Sequence, residues 1–206
     1  MLAGVYQSAA ILFVVVAYYV MDFALIARYD RHRAGEGSRR TSGRSWDYTL
    51  ALALALGFVT LQPVLFPWMG AHVEAAWGLL VQITGAALAT GGLALHGWAR
   101  LHLRQFYAER VELQESHRLV DTGPYAHVRH PTFTAFFIGV VGLLLVNPAL
   151  PTLLLTLYTF WDFSRAARQE EALLSRNVPG YAEYMARTPP FFPRLRVGSR
   201  PRSGDR

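Results

Sequence analysis

The sequence predicts an all-α integral membrane protein: three transmembrane helices followed by a helical hairpin, about five membrane helices in all. Three observations carry that expectation. Of 206 residues 52% are hydrophobic and only 17% charged, short of the quarter or so of charged residues usual in a water-facing domain. The apolar residues gather in runs long enough to cross hydrocarbon. The 20 basic residues, every one an arginine, fall between and after those runs.

The first run, residues 5–27, has Asp22 as its single formal charge. No arginine precedes it and six follow, the reverse of a secretory signal, so it reads as a retained span. Residues 48–69 make a second span, kinked or ended by Pro63 and Pro67. Residues 77–99 make a third, rich in the Gly and Ala that let helices approach closely in lipid. Residues 132–163 are apolar but broken at Asn147-Pro148-Ala149-Leu150-Pro151, a strong turn signal that makes a hairpin with arms of about 12–15 residues, spanning obliquely or partway.

Orientation follows from arginine, which short translocated loops exclude. Arg28, Arg31, Arg33, Arg39, Arg40 and Arg44 separate the first two spans, five more lie between the third span and the hairpin, and nine follow the hairpin, while residues 1–4 and 70–76 hold none. The expected topology has an outside N-terminus and a cytoplasmic loop, polar block and tail. It divides the chain into a three-span region, 1–99, with a basic loop at 28–46; a catalytic-like region, 100–196, containing the 132–163 hairpin; and a disordered tail, 197–206. Topology accounts for the basicity without a nucleic-acid groove, and no obligate protein partner is evident.

Absence of cysteine excludes a disulfide framework, a thiolate zinc site, an iron–sulfur cluster and a cysteine nucleophile. His96 and His102, six apart near the end of the third span, lack the three- or four-residue spacing of helical metal sites and are expected at the interface; no metal is expected. Asp22 and Asp162, within or bordering spans, are either functional or paired with arginine.

Chemistry-bearing residues concentrate in two polar blocks. The first contains His117-x-Leu119-Val120-x-Thr122-Gly123-x-Tyr125-x-x-x-Arg129-His130-Pro131, and the second, after the hairpin, Arg165-x-x-Arg168-x-Glu170-Glu171 and Tyr181-x-x-Tyr184. Irregular backbone cannot face lipid, so the first block must lie at the interface or line a cavity, and a hairpin returning to its own side lets the two blocks converge on one pocket. In order and near-matching spacing over residues 95–195, about half of the chain, this constellation resembles the carboxy-terminal half of the isoprenylcysteine carboxyl methyltransferases and, more distantly, the membrane phospholipid methyltransferases.

The resemblance implies an integral membrane enzyme holding S-adenosylmethionine in a cytoplasm-facing pocket without a Rossmann fold, and no G-x-G-x-x-G motif contradicts it. It implies cofactor contacts at His117, Leu119, Val120, Gly123, Tyr125, Arg129, His130, Glu170 or Glu171, and Tyr181. An acidic residue suits the cofactor's ammonium, Arg or His its carboxylate, and an aromatic face its sulfonium. The catalytic candidates are Arg129, His130, Arg165, Arg168 and Glu171. The chain departs from the family's usual Tyr at Phe133 and usual Gly at Ala135, and it has Asn177-Val178-Pro179-Gly180 where a Phe-Gly is usual.

An acceptor carboxylate is already ionised at neutral pH, so positioning and water exclusion would supply the rate. A guanidinium fork from Arg165 or Arg168, with Arg129 shared between roles, would hold it. An amine or thiol acceptor would need a base, His130 or Glu171. The expected acceptor is a lipophilic or prenylated molecule entering from membrane lipid. The alternatives are a phospholipid amine or small thiol methyltransferase, or a non-enzymatic membrane protein that retains the pocket. Tyr181, Tyr184 and Trp161 suit either interfacial or cofactor-contacting roles.

Overall fold

The computed structural model describes residues 4–33, 46–71, 75–103 and 119–193. The 34–44 basic stretch, the 197–206 tail and His117 lie outside the described residues. Those described form α1 (Gly4–Arg33), α2 (Trp46–Leu65), α3 (Ala75–Leu103), α4 (Pro131–Val146), α5 (Leu150–Asn177) and α6 (Tyr181–Arg187), with 3₁₀ turns at Pro67–Met69 and Gly123–Ala126. The helical class agrees with the sequence expectation.

Two helices are long and apolar enough to cross a membrane, α1 over Gly4–Leu25 and α3 over Trp77–Leu103. Shorter apolar stretches occupy Leu50–Leu65 in α2 and Pro131–Val146 in α4, so the described residues show two clear spans rather than five. Pro63 is accommodated inside α2, and the helix stops ahead of Pro67, which disfavours helical backbone in the residue before it.

The Asn147-Pro148 signal does end α4, but the second arm differs from its expected length. α5 runs unbroken for 28 residues to Asn177. From Thr152 to Asn177 the sequence has neither Pro nor Gly, and its Leu, Ala, Arg, Gln and Glu are strong helix formers. The Arg165–Glu171 part of the second polar block is therefore a helical continuation of the hairpin, and Tyr181 and Tyr184 follow on α6.

The most extensive helix contact joins α3 and α4. A Cβ on Gly85 would lie 2.6 Å from the Gly142 carbonyl oxygen, and one on Gly142 would lie 2.5 Å from the Ala89 backbone nitrogen. Only glycine allows these backbones to approach so closely, the small-residue packing expected of lipid-embedded helices. Ile11, Val14, Val59, Ala89, Leu143 and Val146 fill the core beside this seam.

The bundle has two distinct ends. Gly70 bridges Ala149 in antiparallel fashion, and the Ala71 amide donates to the Pro148 carbonyl at 2.7 Å, so the α2–α3 connection and the hairpin tip share one end. The segment leading into α4 and the polar extension of α5 share the other.

Candidate active site

At that second end Gly123 opens the 3₁₀ turn with φ +59°, a left-handed conformation that favours glycine. The His102 ring covers it: a Cβ there would lie 2.3 Å from the imidazole. The turn buries Pro124 and Tyr125 and leads to Arg129 and His130, with Pro131 starting α4.

Across from it, α5 presents Glu171. One oxygen of that side chain, Oε1, accepts from Arg129 Nε at 2.8 Å, Arg129 Nη2 at 2.8 Å and His130 Nε2 at 2.9 Å. Glu170 Oε2 lies 3.5 Å from His130 Nδ1. Residues 41 positions apart thus meet in one cluster. Carboxylates only accept hydrogen bonds, so Glu170 and Glu171 offer an acceptor to each nitrogen of the imidazole. Burial works against a charge on the ring, but the hydrogen bonds and charges of Glu170 and Glu171 outweigh it and raise the His130 pKa above its ordinary value. Burial likewise opposes the charge on Glu171, yet His130 and Arg129 hold its pKa down at about 2.

Arg129 is also a structural tie. Its Nη1 donates to the carbonyls of Met185, at 3.0 Å, and Thr188, satisfying carbonyls near the C-terminus of α6 that the helix itself leaves without partners. The segment after α6 straps across the same place: the amides of Arg129 and His130 donate to the Pro189 and Pro190 carbonyls at 2.8 and 2.9 Å, and Thr134 Oγ1 donates to the Phe191 carbonyl at 2.7 Å. Sequence reasoning missed this strap. Its signal was Thr188-Pro189-Pro190, a stretch whose prolines offer carbonyls but no amide donors.

The other sequence-designated residues distribute around the cluster. Leu119 packs on the buried Val178, Tyr181 and Tyr184, and Val120 beside it is half-buried. The Tyr184 hydroxyl donates to the Tyr125 carbonyl at 2.6 Å; burial foremost pushes its pKa up to about 12, so it stays a donor. Burial, then the charges of Glu170 and Glu171, raises Tyr181 further. Arg187 pairs with Asp121. Arg165 and Arg168 are exposed, and the Arg165 guanidinium lies 5.7 Å from the Trp161 ring centre; neither joins the Glu171 cluster. The Phe133 ring stacks on His130 at 5.3 Å and 8°. His96 is fully buried in the bundle, with Nε2 2.8 Å from Asp22 Oδ1, a pairing its sequence context does not announce. That carboxylate draws it inward.

An all-helical membrane bundle with a charged cluster at one end defines the class of protein. Residues 85–176, a little under half of the chain, match the Isoprenylcysteine carboxyl methyltransferase (ICMT) family. Relatives include the nickel-cobalt-cadmium resistance protein NccN of Alcaligenes xylosoxydans xylosoxydans, 35% identical over 62% of this chain and 55% of that protein. The rat protein-S-isoprenylcysteine O-methyltransferase is 29% identical over 75% of this chain and 55% of that one. The chain spans about half the length of the first of these curated relatives. The fold is similar to that of the solved eukaryotic intramembrane Ras methyltransferase ICMT, with a TM-score of 0.69 and 21% identity over 95% of this chain and 69% of that one.

Proposed function

We propose that this chain is an integral membrane methyltransferase that uses S-adenosylmethionine and methylates the carboxylate of an isoprenylcysteine-like or other lipophilic acceptor, with residues 100–196 as its catalytic region on the cytoplasmic side. The supporting observation is the state of the cluster. His130 faces a carboxylate at each nitrogen, and Glu171 Oε1 is taken up by His130 and Arg129. With both His130 nitrogens and Glu171 Oε1 already engaged, neither side chain is placed to take a proton from an acceptor. A site without a free base fits an acceptor that arrives already ionised.

The residues present suit the cofactor. Glu170, touching His130 through a single longer contact and about a third exposed, keeps acceptor capacity for an ammonium group, and the Tyr181 ring beside it suits a neighbouring cation. His117, Leu119, Val120, Gly123 and Tyr125 complete the proposed cradle. When bound, S-adenosylmethionine supplies an electrophilic methyl group. Arg129 and His130 hold the α5 extension against the turn, and the strap through Phe191 keeps water from the His130 face. Arg168 and Arg165 lie one turn apart on α5, with Arg168 three residues before Glu171, on the side where a fork could take the acceptor carboxylate.

Isothermal titration of the detergent-purified protein with S-adenosylmethionine tests the cofactor: saturable binding is expected, weakened by Glu170→Ala and His130→Ala, and binding indifferent to both substitutions would overturn the assignment. A radiolabelled methyl-transfer assay then compares an S-farnesylated cysteine, phosphatidylethanolamine and a small thiol. Label only in the amine or thiol would replace the carboxylate mechanism while leaving fold and cofactor intact. A second reading, a membrane component of metal resistance, draws on the identity to NccN and to the cobalt-zinc-cadmium resistance protein CzcN of Cupriavidus metallidurans; it predicts cadmium or cobalt sensitivity on deletion of the gene together with no methyl transfer.

A further inference from the structure

A second ionic cluster lies away from the first, inside the bundle. Asp22 falls within the apolar stretch of α1. Its Oδ1 meets His96 Nε2 at 2.8 Å and Arg100 Nε at 3.1 Å, both from α3, whose side chains are 1% and 3% exposed against 31% for Asp22. His96 Nδ1 is buried with no hydrogen-bond partner among the described residues. Ionisable groups are expensive within an apolar span and persist where they pair and act.

Aromatic rings join the two clusters. The His96 ring meets Phe136 at 4.9 Å, Phe136 stacks on Phe163 at 5.0 Å, Phe163 meets Phe133 at 4.9 Å, and Phe133 stacks on His130 at 5.3 Å. The column runs from an apolar span to the back of the charged cluster. Glu170 and the turn lie on its polar side. Its other end carries an arginine, an imidazole with a spare nitrogen, and a partly exposed carboxylate that holds both.

Resting on the methyltransferase reading, we infer that Asp22 is a positioning residue for the acceptor side of the site. It fixes His96 and Arg100 on α3, and through His96 the Phe136–Phe163–Phe133 wall, against which a molecule with an anionic head and an apolar tail would lie. This gives α1, outside the 85–176 family segment, a role in the reaction.

Two readouts test it in detergent on the full chain. In the first, acceptor affinity is measured without cofactor by titrating tryptophan fluorescence with an S-farnesylated cysteine. Asp22→Asn is expected to weaken binding about tenfold, because Asp22 acts on the acceptor only through the wall. Asp22→Glu is expected to restore most of it. In the second, S-adenosylmethionine affinity in the same variants is expected to stay within about twofold of the parent. A structural lesion would instead lower both affinities in parallel, and that result, unchanged acceptor binding, or a parent protein that binds no acceptor would overturn the inference. If Asp22→Asn does not fold, His96→Gln keeps a donor for Asp22 while removing a ring from the column. It should weaken the acceptor about threefold and leave the cofactor alone, and no change would count as failure. A parent that binds acceptor but no S-adenosylmethionine would sink the methyltransferase reading and leave the role of Asp22 in acceptor binding standing.

Discussion

The two ends of the bundle bury polar side chains for different reasons. At the hairpin tip they are amides. Gln7 from α1 and Gln82 from α3 both donate to the Val146 carbonyl, at 3.3 and 3.0 Å, and Asn147 donates to Gln62 Oε1 at 2.8 Å and to Thr152 at 3.1 Å. Val146 ends α4, so its carbonyl has no partner within its own helix, and an unmet carbonyl in an apolar surrounding costs several kcal/mol. Neutral amides meet that need without a charge to compensate. At the other end the buried groups are ions, more costly to bury, and they converge on side chains rather than on backbone left over from helix ends. Arg129 alone serves both purposes. The amide end closes a turn; the ionic end holds a chemical state.

The largest expected effect tests whether the ionic end is that sensitive. Glu171→Gln leaves Arg129 and His130 without their shared carboxylate and should cost roughly 3 kcal/mol, as for other broken buried ion pairs, with S-adenosylmethionine binding lost as well. Thermal unfolding in detergent and titration with the cofactor measure the two. A variant that melts with the parent and binds normally would remove the distinction between the ends.

Next comes the complementary change. Asn147→Ala takes away the donors to Gln62 and Thr152 and should cost about 1–3 kcal/mol, with cofactor affinity unchanged. If affinity fell with stability, the tip and the site would form one cooperative unit, and the contrast would have to be redrawn.

The hairpin and the meeting of the two polar blocks were legible in the sequence, whereas the amide contacts at the tip were not. The hairpin followed from Asn147-Pro148 because a turn signal is local, and the convergence on His130 followed from the requirement that polar blocks avoid lipid. The length of α5 was misjudged because apolarity was read as the limit of the helix, whereas propensity carries it through Arg165 to Asn177. The pairing of His96 was not legible because its partner, Asp22, lies 74 residues away. A lone imidazole on an apolar helix carries no mark of that pairing. The strap over His130 was invisible for a related reason: it is made of backbone carbonyls, which every residue possesses.

The pH dependence sharpens the ionic end further. His130 is raised above 6.5 in the folded protein, so its contribution is complete below that value and declines as pH rises through the folded pKa. Glu171 is lowered from 4.5 to about 2, so its contribution is complete above 4.5 and is lost as pH falls toward 2. The second shift corresponds to about 3 kcal/mol, reduced by solvent screening because Glu171 is partly exposed. Stability should therefore be flat between about 4.5 and 6.5 and fall on either side. Thermal midpoints across pH check the shape, and in His130→Gln the alkaline decline should disappear while the tip, which has no titrating group among Gln7, Gln62, Gln82 and Asn147, contributes nothing to either limb.

The smallest effects separate the two exposed arginines of α5. Arg165 already rests over Trp161, an exposed cation–π contact worth about 0.5–1 kcal/mol, whereas Arg168 sits a turn nearer Glu171 on the helix. If the acceptor carboxylate is held by a guanidinium from this helix, Arg168→Ala should raise the acceptor KM about tenfold and Arg165→Ala about twofold, neither altering cofactor affinity. Steady-state kinetics with an S-farnesylated cysteine reads the order directly. The reverse order would mean that Arg165 leaves Trp161 to take the carboxylate, and the acceptor would then lie nearer the membrane than the charged cluster. Equal and negligible effects would remove both arginines from the reaction.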